Sequence, residues 1–202
     1  MKNLKEYIVE GIFDIEDNID NMDNAIKERI KQFLKENFKG YSSCKISHKP
    51  NTDGKYEVSS NKNIEVKNNK ITSLTNGMFI WTKVGGSFDC YGHYSLTSLE
   101  GAPKEVDGDF KCGRCNSLTS LKGAPEKVGG YFSCVSCDSL ISLEGAPEKV
   151  GWCFYCYCCT SLTSLEGAPK EVSGRFACYQ CGAKFTTDDV KKVSNVKGKI
   201  EV

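Results

Sequence analysis

Ser95-Leu96-Thr97-Ser98-Leu99-Glu100-Gly101-Ala102-Pro103 begins again at Ser117, at Ser139 with Ile141 in place of the threonine, and at Ser161, each time after 22 residues. A weaker copy starts at Ser73-Leu74-Thr75. Fifteen positions after each of these serines stands a phenylalanine (Phe88, Phe110, Phe132, Phe154, Phe176), and two further on a cysteine (Cys90, Cys112, Cys134, Cys156, Cys178). Three beyond these come His93, Cys115, Cys137, Cys159 and Cys181. A short fixed unit with so few apolar side chains cannot bury a core alone, whereas stacked copies share one. The sequence therefore predicts a solenoid.

Within one unit Phe110 and Cys112 are two apart, which is strand periodicity with both side chains inward. Asp109 and Lys111 then face solvent. Gly101 permits an unusual turn and Pro103 removes a donor, so the Gly-Ala-Pro segment reads as a tight return arc. The expected outward positions are where the copies differ: Ser87, Asp109, Tyr131, Cys153 and Arg175; Asp89, Lys111, Ser133, Tyr155 and Ala177; Tyr91, Gly113, Val135, Tyr157 and Tyr179. Tyrosine is stiff, amphipathic and enriched in recognition surfaces. The candidate partner-binding residues are accordingly Tyr91, Asp109, Lys111, Tyr131, Tyr155, Tyr157, Arg175 and Tyr179, and the expected partner is another protein. The competing reading is that these tyrosines only stabilise the sheet by cross-strand pairing.

The unit Val106-x-x-x-Phe110-x-Cys112-x-x-Cys115-x-x-Leu118-x-x-Leu121 resembles a leucine-rich repeat, with Cys115 where that motif has Asn or Cys. Leu118 to Val128 is similar to the short back half of bacterial effector repeats. Phe and Cys stand where the family has aliphatics, and one residue is inserted before Leu118. The resemblance implies a mainly β fold: a right-handed leucine-rich-repeat-like β-solenoid of about five 22-residue rungs over residues 73–182. Arrays of Ser-Leu-Thr-Ser-Leu-Glu-Gly-Ala-Pro behind a Met-Lys-Asn-Leu-Lys-Glu-Tyr-Ile start also resemble repeat proteins of large tailed bacteriophages. That likeness implies a second role, a structural or cargo component of a phage particle attached through residues 1–23.

Residues 1–40 read as an acidic segment followed by an amphipathic helix. Asp23 is placed to cap a helix with Ile26, Ile30, Phe33, Leu34 and Phe38 on one stripe, and Gly40 to end it. Residues 10–23 carry acidic side chains and no basic one, interleaved with Ile12, Phe13, Ile15 and Ile19, the pattern of a mobile or docking segment. Residues 41–72 form a β-rich entry cap, with strands Ser43 to Ser47 and Lys55 to Ser59 around the turn Asn51-Thr52-Asp53-Gly54. Residues 183–202 form a C-terminal cap holding a short helix that begins near Thr186.

With 27 basic and 26 acidic residues in 202, generic attraction to nucleic acid is not indicated. No apolar run approaches the ~18 residues that span a bilayer, and the N-terminus lacks a secretory pattern. The expected location is cytoplasmic, in a bacterial host or a phage particle. The 12 cysteines are then reduced. Cys112-x2-Cys115-x18-Cys134-x2-Cys137 has zinc-site spacing, and a zinc-stabilised or redox cysteine protein is the third functional reading. The same spacing arises from any repeat with two inward cysteines, and buried cysteine behaves as a small hydrophobe, so no metal or other cofactor is expected. Cys153 and Cys158 lie off the columns, and Cys153, next to Phe154, is expected outside. No general base accompanies a nucleophile, the acidic run lacks EF-hand register, and a non-enzymatic protein follows.

Overall fold

The computed structural model describes residues 4–202, with side chains from residue 20 onward. Two eight-stranded sheets run the length of a β-solenoid of about seven turns, each turn giving one short strand to each sheet. In the phenylalanine sheet, Phe38–Lys39 pairs antiparallel with Ile64–Val66. Phe88–Asp89, Phe110–Lys111, Phe132–Ser133, Phe154–Tyr155, Phe176–Ala177 and Ile200–Glu201 then follow in parallel. In the valine sheet, Cys44–Ile46 pairs antiparallel with Tyr56–Ser60. Phe79–Val84, Glu105–Val106, Lys127–Val128, Lys149–Val150, Glu171–Val172 and Asn195–Val196 continue in parallel.

Seven turns replace the expected five because both flanking caps are themselves coiled. Ile64 pairs with Phe88, and Phe176 with Ile200, each a step of 24 residues. The second sheet begins just after the Gly-Ala-Pro arc, which stays a turn. The Glu-Val or Lys-Val that follows each Gly-Ala-Pro is a strand with valine inward, and Val106, Val128, Val150 and Val172 are all buried.

Helix α1 (Leu4–Asn37) is longer than expected. Asp23 does not cap it; the helix passes through, and Asp23 lies near the Tyr56 hydroxyl. The side chains of Ile12, Phe13, Ile15 and Ile19 lie outside the described residues. At the other end α1 stops at Asn37, before Gly40. Asn37 is buried; its Nδ2 donates to Phe33 O at 2.8 Å and its Oδ1 accepts from Asn68 Nδ2 at 2.8 Å. The turn at Asn51 forms as read: its Oδ1 accepts from the backbone of Asp53 and Lys55. Helix α2 (Thr187–Val193) opens on a capping box between Thr186 and Asp189. It sits between the sixth and seventh turns and buries Val190.

Columns of identical side chains fill the space between the sheets. Phe88, Phe110, Phe132 and Phe154 stack with centroids 5.3–5.6 Å apart, and Leu96, Leu118, Leu140 and Leu162 are buried beside them. The second cysteine column is tied across turns. Cys115 Sγ donates to Cys90 O at 3.1 Å, Cys137 to Cys112 O at 3.2 Å, Cys159 to Cys134 O at 3.1 Å and Cys181 to Cys156 O at 3.3 Å. Gly123 has φ +85°, and a Cβ there would run into the Glu100 backbone nitrogen of the preceding turn. The arc therefore needs glycine for conformation and for space.

Candidate functional site

The outward side of the phenylalanine sheet is built in layers. Closest to the backbone is a ladder in which a side chain of one turn satisfies the next turn's N–H. Ser87 N donates to Asn63 Oδ1 (2.9 Å), Asp109 N to Ser87 Oγ (3.0 Å), and Tyr131 N to Asp109 Oδ1 (3.1 Å). Arg175 N donates to Cys153 Sγ at 3.3 Å. Asp109 is thus committed to joining turns. Cys153, expected outside and exposed, is 5 % exposed. It lies beside Tyr155, whose phenol that thiol neighbour, with burial, pushes up to about 12. Ala177 is also buried, at 1 % exposure. Cys158 is half-buried, with its Sγ 3.2 Å from Gln180 Oε1.

Above this ladder the aromatic side chains converge. Tyr131 meets Tyr155 at 5.9 Å between ring centroids, Tyr155 meets Tyr157 edge-on at 6.2 Å, and Tyr157 stacks on Tyr179 at 4.7 Å. Trp152 extends the row, 6.4 Å from Tyr131 and 59 % exposed. Trp152 lies outside the variable positions that the strand alternation singles out, yet the sequence carries its signal: the equivalent position is Gly86, Gly108, Gly130 and Gly174 in the other copies. Tyr91 stands apart from the row. It is exposed and lies over Gly113, where a Cβ would come 3.0 Å from both the Tyr91 ring and Val135.

Two cations flank the row. Lys111 Nζ lies 5.6 Å from the centre of the Tyr131 ring and 3.8 Å from Asp89. The nearby Tyr131 hydroxyl and the carboxylates of Asp89 and Asp109 hold its ammonium above the usual lysine range. Arg175 pairs with Glu201 at 3.2 Å. The structure thus brings together Lys111, Tyr131, Tyr155, Tyr157 and Tyr179, with Arg175 in the outer ladder beside them, and leaves Tyr91 at the margin. By contrast, the outer face of the valine sheet carries exposed ion pairs such as Lys127–Glu105 (3.1 Å) and Lys149–Glu171 (3.4 Å), a type that contributes little.

No family model, curated protein or solved structure matches the chain.

The cysteine columns are the other constellation of chemical interest. Cys112, Cys115, Cys134 and Cys137 are buried, and all 12 cysteines are free. Burial drives the Cys112 and Cys134 thiols well above their ordinary range. Cys115 and Cys137 lie in S–H donor geometry to carbonyls, although the hydrogen bond with the Cys90 thiol holds Cys115 below its ordinary range; the thiolate is the form that binds metal. Among the described residues no group of three or more His, Cys, Asp or Glu is placed to hold a metal ion. His93, in the same column, is buried, with Nδ1 3.0 Å from Cys90 O and no partner for Nε2. Among the described residues no helix is long and apolar enough to cross a membrane.

Proposed function

We propose that the protein is a non-enzymatic binding module that holds another protein against the row Trp152, Tyr131, Tyr155, Tyr157 and Tyr179. The observation that carries this reading is Trp152. A side chain that replaces glycine in one copy, stays 59 % exposed and touches only the rim of a tyrosine cluster adds little to the core. Half-buried tyrosines gathered around an exposed tryptophan on a rigid sheet supply contact area at low entropic cost, and such residues are enriched where binding energy concentrates. Lys111 and Arg175 add charge at the rim, where it steers partners and sets orientation. Cross-strand pairing accounts for Tyr157 on Tyr179 but gives Trp152 no comparable role.

The likeness of the repeat to leucine-rich repeats supports the same use, since stacked repeats commonly bind through an extended sheet face. The likeness to repeat proteins of tailed phages suggests a bacterial host or a phage particle as the place to look for the partner. The test is capture from bacterial and phage-infected lysates. Tyr155→Ser, Tyr157→Ser and Tyr179→Ser together should abolish capture and leave the strand signal intact. Exchange of Glu100, Lys122 and Glu144 on the return arc should leave it in place. Retention by the triple tyrosine variant would refute the reading.

A further inference from the structure

The two ends of the solenoid differ. At the N-terminal end the outermost strands run antiparallel to the array, and Ile30 and Leu34 of helix α1 are buried in the core. At the other end, among the described residues, no strand lies beyond Ile200–Glu201 in the phenylalanine sheet or beyond Asn195–Val196 in the valine sheet. Val196 and Ile200 pack against the core and are only partly covered.

Parallel pairing fixes which groups of this edge are free. From Phe88 to Phe176, each phenylalanine of the column gives its backbone N–H to a carbonyl of the following turn, ending with Phe176 N to Lys199 O at 2.9 Å. Ile200 pairs with Phe176 and holds the same place one turn on. The carbonyls on either side of it are spent on the preceding turn, since Lys199 O accepts from Phe176 N and Glu201 O from Cys178 N, both at 2.9 Å. In a parallel ladder the residue between two such carbonyls turns its own N–H and C=O the opposite way. Ile200 therefore offers one donor and one acceptor at the open edge. Lys199 and Glu201 flank it on the outer side, 2.9 Å apart, with Arg175 on Glu201 at 3.2 Å.

We propose that this edge pairs antiparallel with the same edge of a second copy of the chain, about a two-fold axis through Ile200. A residue on such an axis exchanges both hydrogen bonds with its own counterpart. Charge favours a second copy as the occupant. The register sets Lys199 opposite Glu201 of the second copy and Glu201 opposite its Lys199, so the run Lys-Ile-Glu is complementary to itself, and opposite charges directly across antiparallel strands stabilise the pair. A lone lysine blunts a sheet edge; here Lys199 meets a carboxylate. The contact uses one patch twice and closes at two chains, whereas stacking this end on an N-terminal end would grow without limit. The axis crosses the phenylalanine sheet, so the outer faces that carry Tyr157 and Tyr179 come to lie on one side of a continuous sheet.

Sedimentation equilibrium of the full chain should give twice the chain mass in the micromolar range. Ile200→Pro removes the free donor and leaves the Lys199 and Glu201 carbonyls on the preceding turn, a placement that edge strands tolerate. It should return the protein to monomer with its strand signal intact. Lys199→Glu sets like charges opposite one another and should weaken dimerisation about tenfold. Adding Glu201→Lys to it exchanges the two charges and should recover most of that loss. A monomer at every concentration, growth past two chains, or a dimer that survives Ile200→Pro would each overturn the proposal, and a double exchange no tighter than Lys199→Glu would overturn its register. No other protein enters these measurements, so they succeed or fail independently of what binds the aromatic face.

Discussion

Tyr157 and Tyr179, one repeat apart, lie face to face with ring centroids 4.7 Å apart and planes within 6° of parallel. Both sit on the outside of a sheet whose inside is already filled by Phe154 and Phe176. Their contact is therefore a surface pair, and a double-mutant cycle of Tyr157→Ala and Tyr179→Ala should return a coupling of about 0.5–1.5 kcal/mol. Additive losses would mean that the stack does not persist in solution.

The inner column should behave differently. Phe132 is fully buried, between Phe110 at 5.3 Å and Phe154 at 5.5 Å. Phe132→Ala should cost about 3–5 kcal/mol in chemical denaturation, the range for a buried aromatic. A cost under about 1 kcal/mol, typical of a surface site, would place the column outside.

Two backbone positions should respond with opposite sign. Ser136 has φ +55°, in a column that begins with Gly92 and continues through Arg114, Cys158 and Gln180. Ser136→Gly removes a left-handed penalty of about 1–2 kcal/mol against a glycine entropy cost of about 0.5–1 kcal/mol, so the thermal midpoint should rise slightly or hold. Gly123→Ala meets both positive φ and the Glu100 backbone and should destabilise by about 2 kcal/mol or more. A neutral Gly123→Ala would show that the arc is looser than described.

Alkaline pH should weaken the fold. Burial raises the Cys112 and Cys134 thiols and pushes Cys44 up to about 11, whereas unfolded thiols ionise near about 8.5. A folded value above the unfolded one gives stability that is complete below pH ~8.5 and is lost as pH rises towards the folded values. Denaturation midpoints should fall from about pH 9 upward in reducing buffer, and Cys134→Ala should flatten that fall. A midpoint independent of pH across this range would contradict the burial of the column.

Chelation should leave that midpoint where it is. The S–H bonds from Cys115 and Cys137 to backbone carbonyls need protonated sulfur, and the reduced protein should hold less than one equivalent of zinc by elemental analysis. Structural zinc contributes on the order of 10 kcal/mol to folding, so unfolding by a chelator would be unmistakable and would restore the zinc reading.

The sequence by itself determined the solenoid, its 22-residue period and the inward columns of Phe, Cys and Leu. Period sets the turn and alternation sets the face, and both are local properties of one repeat. Only the tertiary structure decided what depends on neighbouring turns. The first and last turns escape self-comparison because they share backbone pairing with the array and not its side chains. The valine sheet leaves no strand alternation, because two residues are too few to alternate, although its valines recur with the repeat. Cys153 alternates outward as expected and is still buried, hydrogen-bonded to Tyr155 of its own turn and to the Arg175 backbone N–H of the next. Asp109 became a rung connector and Trp152 joined the tyrosines for the same reason: each acts on a residue a full turn away, at a distance that stacking sets and one repeat does not contain.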